Sequence, residues 1–76
     1  MEGKRMSQTL AHTPEGDVYE VFAKFQAVEP LHHVGSVIAA NRELARAYAF
    51  TLYNEWAWNE MVIVPRREIV TVIGPM

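Results

Sequence analysis

The sequence predicts an α+β domain: a three- to four-stranded, mainly antiparallel sheet with one helix packed on one face, in the order strand, strand, helix, strand, strand. Three observations predict it. Residues 17–25 alternate between a wholly apolar and a mixed face, as a half-buried strand does. The hydrophobic period changes at Ala39-Ala40-Asn41, where a β-branched stretch gives way to Leu44, Ala45, Ala47, Ala49 and Leu52, all good helix formers. Beyond them, Met61-Val62-Ile63-Val64 and Glu68-Ile69-Val70-Thr71-Val72-Ile73 return to extended, β-branched composition. A single helix among such strands has to bury its apolar stripe against the sheet.

Residues 1–16 combine Gly3, Ser7, Gln8, Thr9, Thr13, Pro14 and Gly16 without a sustained period and read as a flexible tail, which leaves residues 17–76 as one small domain. In the first strand Tyr19, Val21, Ala23 and Phe25 share one face, and Val18, Glu20, Phe22 and Lys24 the other. One helix covers one side of a sheet, so Val18 and Phe22 on the uncovered side are candidate contact residues. Glu29-Pro30 breaks the pattern, and the chain turns into a second strand over residues 33–39. Gly35 interrupts that strand; a glycine there marks a bulge or the close approach of another backbone or a large ring.

Asn41 is placed to cap the helix, its side-chain oxygen accepting from one of the free N–H groups at the helix start. The helix is read over residues 41–56. Ala45, Tyr48, Ala49, Leu52, Tyr53 and Trp56 gather on its core side, the small alanines allowing close approach to the sheet. Phe50 points well away from that stripe and is a further candidate contact. Trp56 and Trp58, two residues apart, cannot share one helical face. Trp56 is assigned to the core side and Trp58 to an exposed interface anchor. Met61-Val62-Ile63-Val64 has the continuous apolar character of a central strand, Pro65 stops it, Arg66-Arg67 form a polar turn, and residues 68–73 supply the last strand.

Seven basic and nine acidic side chains give the 76-residue chain a formal charge of −2, which provides no general field for a polyphosphate backbone and points away from nucleic acid. No stretch approaches the roughly twenty apolar residues of a membrane helix, and Met1-Glu2-Gly3-Lys4-Arg5-Met6 leads into Ser7-Gln8-Thr9, not into an apolar run. The sequence therefore predicts a soluble, cytoplasmic protein. With no cysteine there is neither a disulfide nor a thiolate zinc site, and small domains without such staples lean on oligomerisation. Hydrophobic residues make up 50% of the chain, enough that part of them is expected on a face that another chain covers.

Candidate chemistry is sparse. His32-His33 offers two imidazoles, but neighbours on a strand point to opposite faces and a metal needs three or four ligands, so His33 is read as a hydrogen-bonding or interface residue. Glu20, Glu43 and Glu55 form no carboxylate pair and read as solvated charges, Glu20 with Lys24 on its own strand face; Ser36 has no evident base beside it, and no residue is assigned as catalytic, cofactor-binding or metal-ligating. Arg42, Arg46, Arg66 and Arg67 are read as solvated, with a phosphate or a partner's carboxylates as their functional use. The candidate interface residues are thus Val18, Phe22, His33, Phe50 and Trp58.

Tyr19-Glu20-Val21-Phe22, then His33-Val34-Gly35-Ser36 running into Ala39-Ala40, then Ala45, Ala49 and Tyr53, then Ile63-Val64 and Glu68-Ile69-Val70 resemble the small B subunit of the multicomponent phenylacetyl-CoA epoxidase, the PaaB-like family. The likeness spans residues 17–72. It implies a non-catalytic structural or bridging subunit, homodimeric, of an oxygenase complex that epoxidises the ring of an aromatic coenzyme A thioester in phenylacetate catabolism. It also implies that the di-iron centre lies in a partner subunit and that this chain binds no cofactor. Ala47, Phe50 and Leu52 depart from the family's more charged helix and imply a partner surface of its own, serving a related oxygenase on another acyl-CoA. The alternative from another class is a free-standing module or minor enzyme of ferredoxin-like architecture, binding an acyl-CoA or aromatic molecule between helix and sheet near Tyr48 and Tyr53.

Overall fold

A computed structural model describes residues 10–74 of the chain. It contains β1 (His12–Thr13), β2 (Gly16–Lys24), β3 (His32–Ala39), α1 (Arg42–Tyr53), β4 (Glu60–Pro65) and a 3₁₀ turn (Arg66–Glu68). The four strands form one antiparallel sheet with a helix on one face, the α+β architecture the sequence predicts.

β2 is the hub. It pairs with β3 along one side, with Asp17 opposite Ala39 and Tyr19 opposite Val37. Its other side pairs with β1 at Gly16 and Asp17 and with β4 from Tyr19 to Lys24. Val18, Tyr19, Glu20, Val21 and Ala23 are all buried. The sequence assigns the central place to Met61-Val62-Ile63-Val64 instead, and this expectation is corrected: β4 pairs with β2 alone and is an edge strand whose residues 61–65 are half-buried. A continuous apolar run marks burial on two faces, which an edge strand can also need when another chain covers it.

The order of elements differs at both ends from the expected one. His12–Thr13, inside the stretch read as a tail, is a strand. Thr13-Pro14-Glu15-Gly16 makes the turn, with the Thr13 hydroxyl donating to Gly16 O at 2.9 Å and accepting from Glu15 N at 3.2 Å. Residues 1–9 of the expected tail lie outside the described residues. At the other end residues 69–73 form no strand; only the short 3₁₀ turn follows β4. The β-branched composition is present, but strand propensity acts through cross-strand neighbours, and here it has none.

Asn41 caps α1 as expected. Its backbone is extended (φ −154°, ψ 175°) and its side-chain oxygen accepts from Leu44 N at 2.9 Å. Ala45 and Ala49 are buried against Tyr19, Val21, Val37 and Ala39, with Val34, Tyr53, Met61 and Ile63 packed around them. Full burial of a valine such as Val21 contributes roughly 1.5–3 kcal/mol. The small alanines bring the helix close to the sheet, but it covers little beyond them. Tyr48, Leu52 and Trp56, assigned to the core side, are 44, 61 and 56% exposed. Tyr48 and Leu52 overhang the outer edge of β3, and α1 ends at Tyr53, so Trp56 is not on the helix at all.

Gly35 meets both expectations for it. The β2–β3 register shifts between Val21 and Phe22, with Val21 opposite Gly35 and Phe22 opposite His33, so Val34 is the extra residue of a bulge. A Cβ at Gly35 would collide with the Tyr53 hydroxyl, which places the aromatic ring where only a glycine leaves room.

Candidate functional site

The sheet face opposite α1 carries Val18, Glu20, Phe22 and Lys24 from β2, with His33, Ser36 and Ile38 from β3 and Val62 and Val64 from β4 opposite them. No helix packs on this face among the described residues, but Arg66 of the 3₁₀ turn reaches onto it. Its centre is polar. Glu20, 8% exposed, accepts from His33 Nε2 at 2.7 Å through Oε1 and from Arg66 Nε at 2.5 Å through Oε2. Arg66 Nη1 also donates to Leu10 O at 2.8 Å, so Glu20 and Arg66 together tie β2 and β3 to the turn after β4 and to the chain two residues before β1.

Burial pushes the Glu20 carboxyl up, but the bonds from Arg66 and His33 outweigh it and hold the carboxyl below its ordinary value. The sequence reads Glu20 as solvated and near Lys24; the structure corrects this. Lys24 turns to Glu60 at 3.4 Å and to Ala27 O at 3.0 Å. Arg66, read as a solvated turn residue, is the main partner of Glu20, 46 residues away in the chain. A charge set between Val18 and Phe22 on one strand face is the available signal for a paired carboxylate, but nothing local names its partner. Each Glu20 oxygen thus accepts one charge-assisted bond, Oε1 from His33 and Oε2 from Arg66.

Two smaller clusters flank this centre. Asp17 accepts from His12 Nδ1 and from Arg67 Nη1, each at 2.7 Å, and the His12 bond leads the interactions that hold its carboxyl below the ordinary value against the upward push of desolvation. At the far end of the sheet Phe25 stacks on Trp58, with ring centroids 4.4 Å apart and planes 14° apart, and meets Trp56 edge-on at 6.3 Å. Trp58 Nε1 donates to Tyr53 O at 2.6 Å. The two tryptophans therefore exchange the roles the sequence gives them: Trp58 is half-buried and fixed, and Trp56 is the exposed ring.

The five candidate interface residues fall into two groups. Val18, Phe22 and His33 share the open sheet face. Val18 is buried among its neighbours, whereas Phe22 is half-buried with its ring 5.2 Å from that of His33. Phe50, 67% exposed, and Trp58 line one groove at the end of α1 together with Trp56 and Met61. That groove continues between α1 and β4, where Arg46, Ala47, Phe50, Met61 and Ile63 line it. Arg42 and Arg67 line a separate groove at the start of α1 together with Asp17, Glu43 and Glu68, a lining of mixed sign.

Tyr48 and Tyr53 do not share a pocket: Tyr48 lines an open groove with Ile38 and Leu52, while the Tyr53 hydroxyl lies against Gly35. One α-helix among the described residues also falls short of the two of a ferredoxin-like domain. Among the described residues there is no group of three or more His, Asp and Glu side chains placed to hold a metal ion, and no helix long and apolar enough to cross a membrane. Comparison with protein-family models, with curated proteins and with solved structures finds no match to the chain.

Proposed function

We propose that the chain is a non-catalytic, homodimeric bridging subunit of a multicomponent di-iron oxygenase acting on an aromatic acyl-CoA, of the phenylacetyl-CoA epoxidase type. The reading rests on the resemblance of its Tyr-Glu-Val-Phe and His-Val-Gly-Ser segments to that family's B subunit. One structural observation supports it above others: exposed apolar side chains stand on two separate surfaces, Ile38 beside half-buried Phe22 on the sheet face opposite α1, and Phe50 in the groove at the end of the helix. A bridge needs two contact surfaces, and exposed large apolar side chains concentrate at such contacts. The iron chemistry belongs to the partner subunit, and the protein acts within the cytoplasm.

Affinity purification of the tagged chain from its native lysate tests the reading. The expected result is co-purification of a protein with the paired Glu-x-x-His motifs of a carboxylate-bridged di-iron site. Bait recovered without any such protein overturns it. A thermal shift of several degrees with acyl-CoA esters, in the absence of other subunits, would favour direct small-molecule binding through the groove at Tyr48 instead.

A further inference from the structure

Residues 69–73, Ile-Val-Thr-Val-Ile, have the composition of a strand and lie outside the sheet. Val70, Val72 and Ile73 are 82, 91 and 88% exposed, and the backbone at Ile69 is already extended (φ −82°, ψ 125°). An uncharged β-branched run left in water is a strand in want of an edge.

β4 offers that edge. It is hydrogen-bonded on one side only, and its register with β2 runs unbroken from Glu60 to Pro65. The other free edge, β3, is disrupted by the bulge at Val34, a device that discourages pairing. β4 is also apolar on both faces: Met61 and Ile63 point toward α1, and Val62 and Val64 toward the open face. Residues 69–73 are likewise two-sided, with Ile69, Thr71 and Ile73 alternating against Val70 and Val72. A strand laid beside β4 would fill the groove under Phe50 on one side and extend the Val62–Val64 surface on the other.

The chain's own segment is led away from this edge. Directly after β4, Arg66 reaches Glu20 and Leu10 O, and Arg67 reaches Asp17. All three lie on the paired side of β4, toward β2 and β1, so a hairpin back onto the free edge would break both arginine contacts. We propose that residues 69–73 of one copy add as a strand to the free edge of β4 in a second copy, and that the exchange is reciprocal. Such an isologous exchange satisfies both segments and both edges within a closed dimer. It rests on the homodimeric part of the reading above and specifies how that dimer forms.

Because the chain has no cysteine, introduced thiols report only the contact under test. Thr71→Cys is mixed with Val62→Cys, and separately with Ile63→Cys, under mild oxidation. One mixture is expected to give a disulfide-linked heterodimer, since the middle of the segment meets the middle of β4 in either strand direction. Sedimentation of the full chain is expected to show a dimer whose dissociation constant rises at least tenfold with Thr71→Pro, which removes a ladder N–H from a segment whose residues are exposed in the monomer. A monomer at all concentrations, a link confined to one chain in the Val62→Cys/Thr71→Cys double variant, or a dimer indifferent to Thr71→Pro overturns the proposal. Co-purification of a di-iron subunit by a chain that fails these tests would leave the oxygenase-subunit part of the reading standing, whereas strand exchange without such a subunit would remove that part alone.

Discussion

Glu20 is the residue on which the packing of three strands converges, and replacing it has a defined cost. Glu20→Gln keeps the size but turns an amide N–H₂ toward one of two donors, Arg66 or His33. The expected loss is about 1–3 kcal/mol in urea unfolding, limited because both partners can turn to water. Its pH signature follows from the direction of the shift. A carboxyl held below its ordinary value stabilises the fold fully above that value and loses its contribution as pH falls through the folded-state value. Stability of the wild-type chain should therefore drop below the usual carboxylate range, and Glu20→Gln should flatten that drop, leaving the part due to Asp17. Gly35 gives the second test at this scale. Gly35→Ala drives a methyl group into the Tyr53 hydroxyl and is expected to cost about 1–3 kcal/mol. Tyr53→Phe removes the nearest atom, so the double variant should be more stable than the two single effects predict together, a non-additivity read from a double-mutant cycle.

Among the elements, α1 is bounded by chemistry that the sequence states openly. The Asn41 side-chain oxygen accepts from Leu44 N at the helix start, and Asn41→Ala is expected to cost about 1 kcal/mol, measured as a lowered urea midpoint at unchanged slope. The helix end is less legible, because no glycine stops it and Asn54 ends it with φ −81° and ψ 3°. The reading of residues 41–56 as one helix overshot there, and with it the assignment of Trp56. Strand composition shows the same limit. Residues 17–25 and 33–39 were readable because their neighbours in the sheet are close in sequence, whereas the run at 68–73 looked equally good and forms no strand. What separates them is the availability of an edge, and Arg66 and Arg67 decide that by steering the chain toward β2.

For the molecule as a whole, the apolar content that the sequence places partly on the surface is visible there. Phe50, Leu52, Trp56, Val70, Val72 and Ile73 all stand more than half exposed on a domain whose core is valine and alanine around Tyr19. The proposed strand exchange would cover Val70, Val72 and Ile73 together with part of the groove at Phe50, and the proposed oxygenase contact would cover the surface that remains. Of the interface candidates, Phe50 could be found from helical periodicity alone, because its angle from the alanine stripe is a property of the helix. That Phe50 shares a groove with Trp58 and Met61, and that Val18, Phe22 and His33 share the open sheet face, depends on strand order. By itself the sequence determined the α+β class, the Asn41 cap, the bulge or close approach at Gly35 and the alternation of β2, since each is set by residues within a few positions of one another. Only the tertiary structure decided that β2 and not β4 is central, that His12–Thr13 joins the sheet, and that Glu20 closes on Arg66. Those outcomes depend on pairings across long stretches of chain, where many partners have equal local propensity and packing alone selects among them.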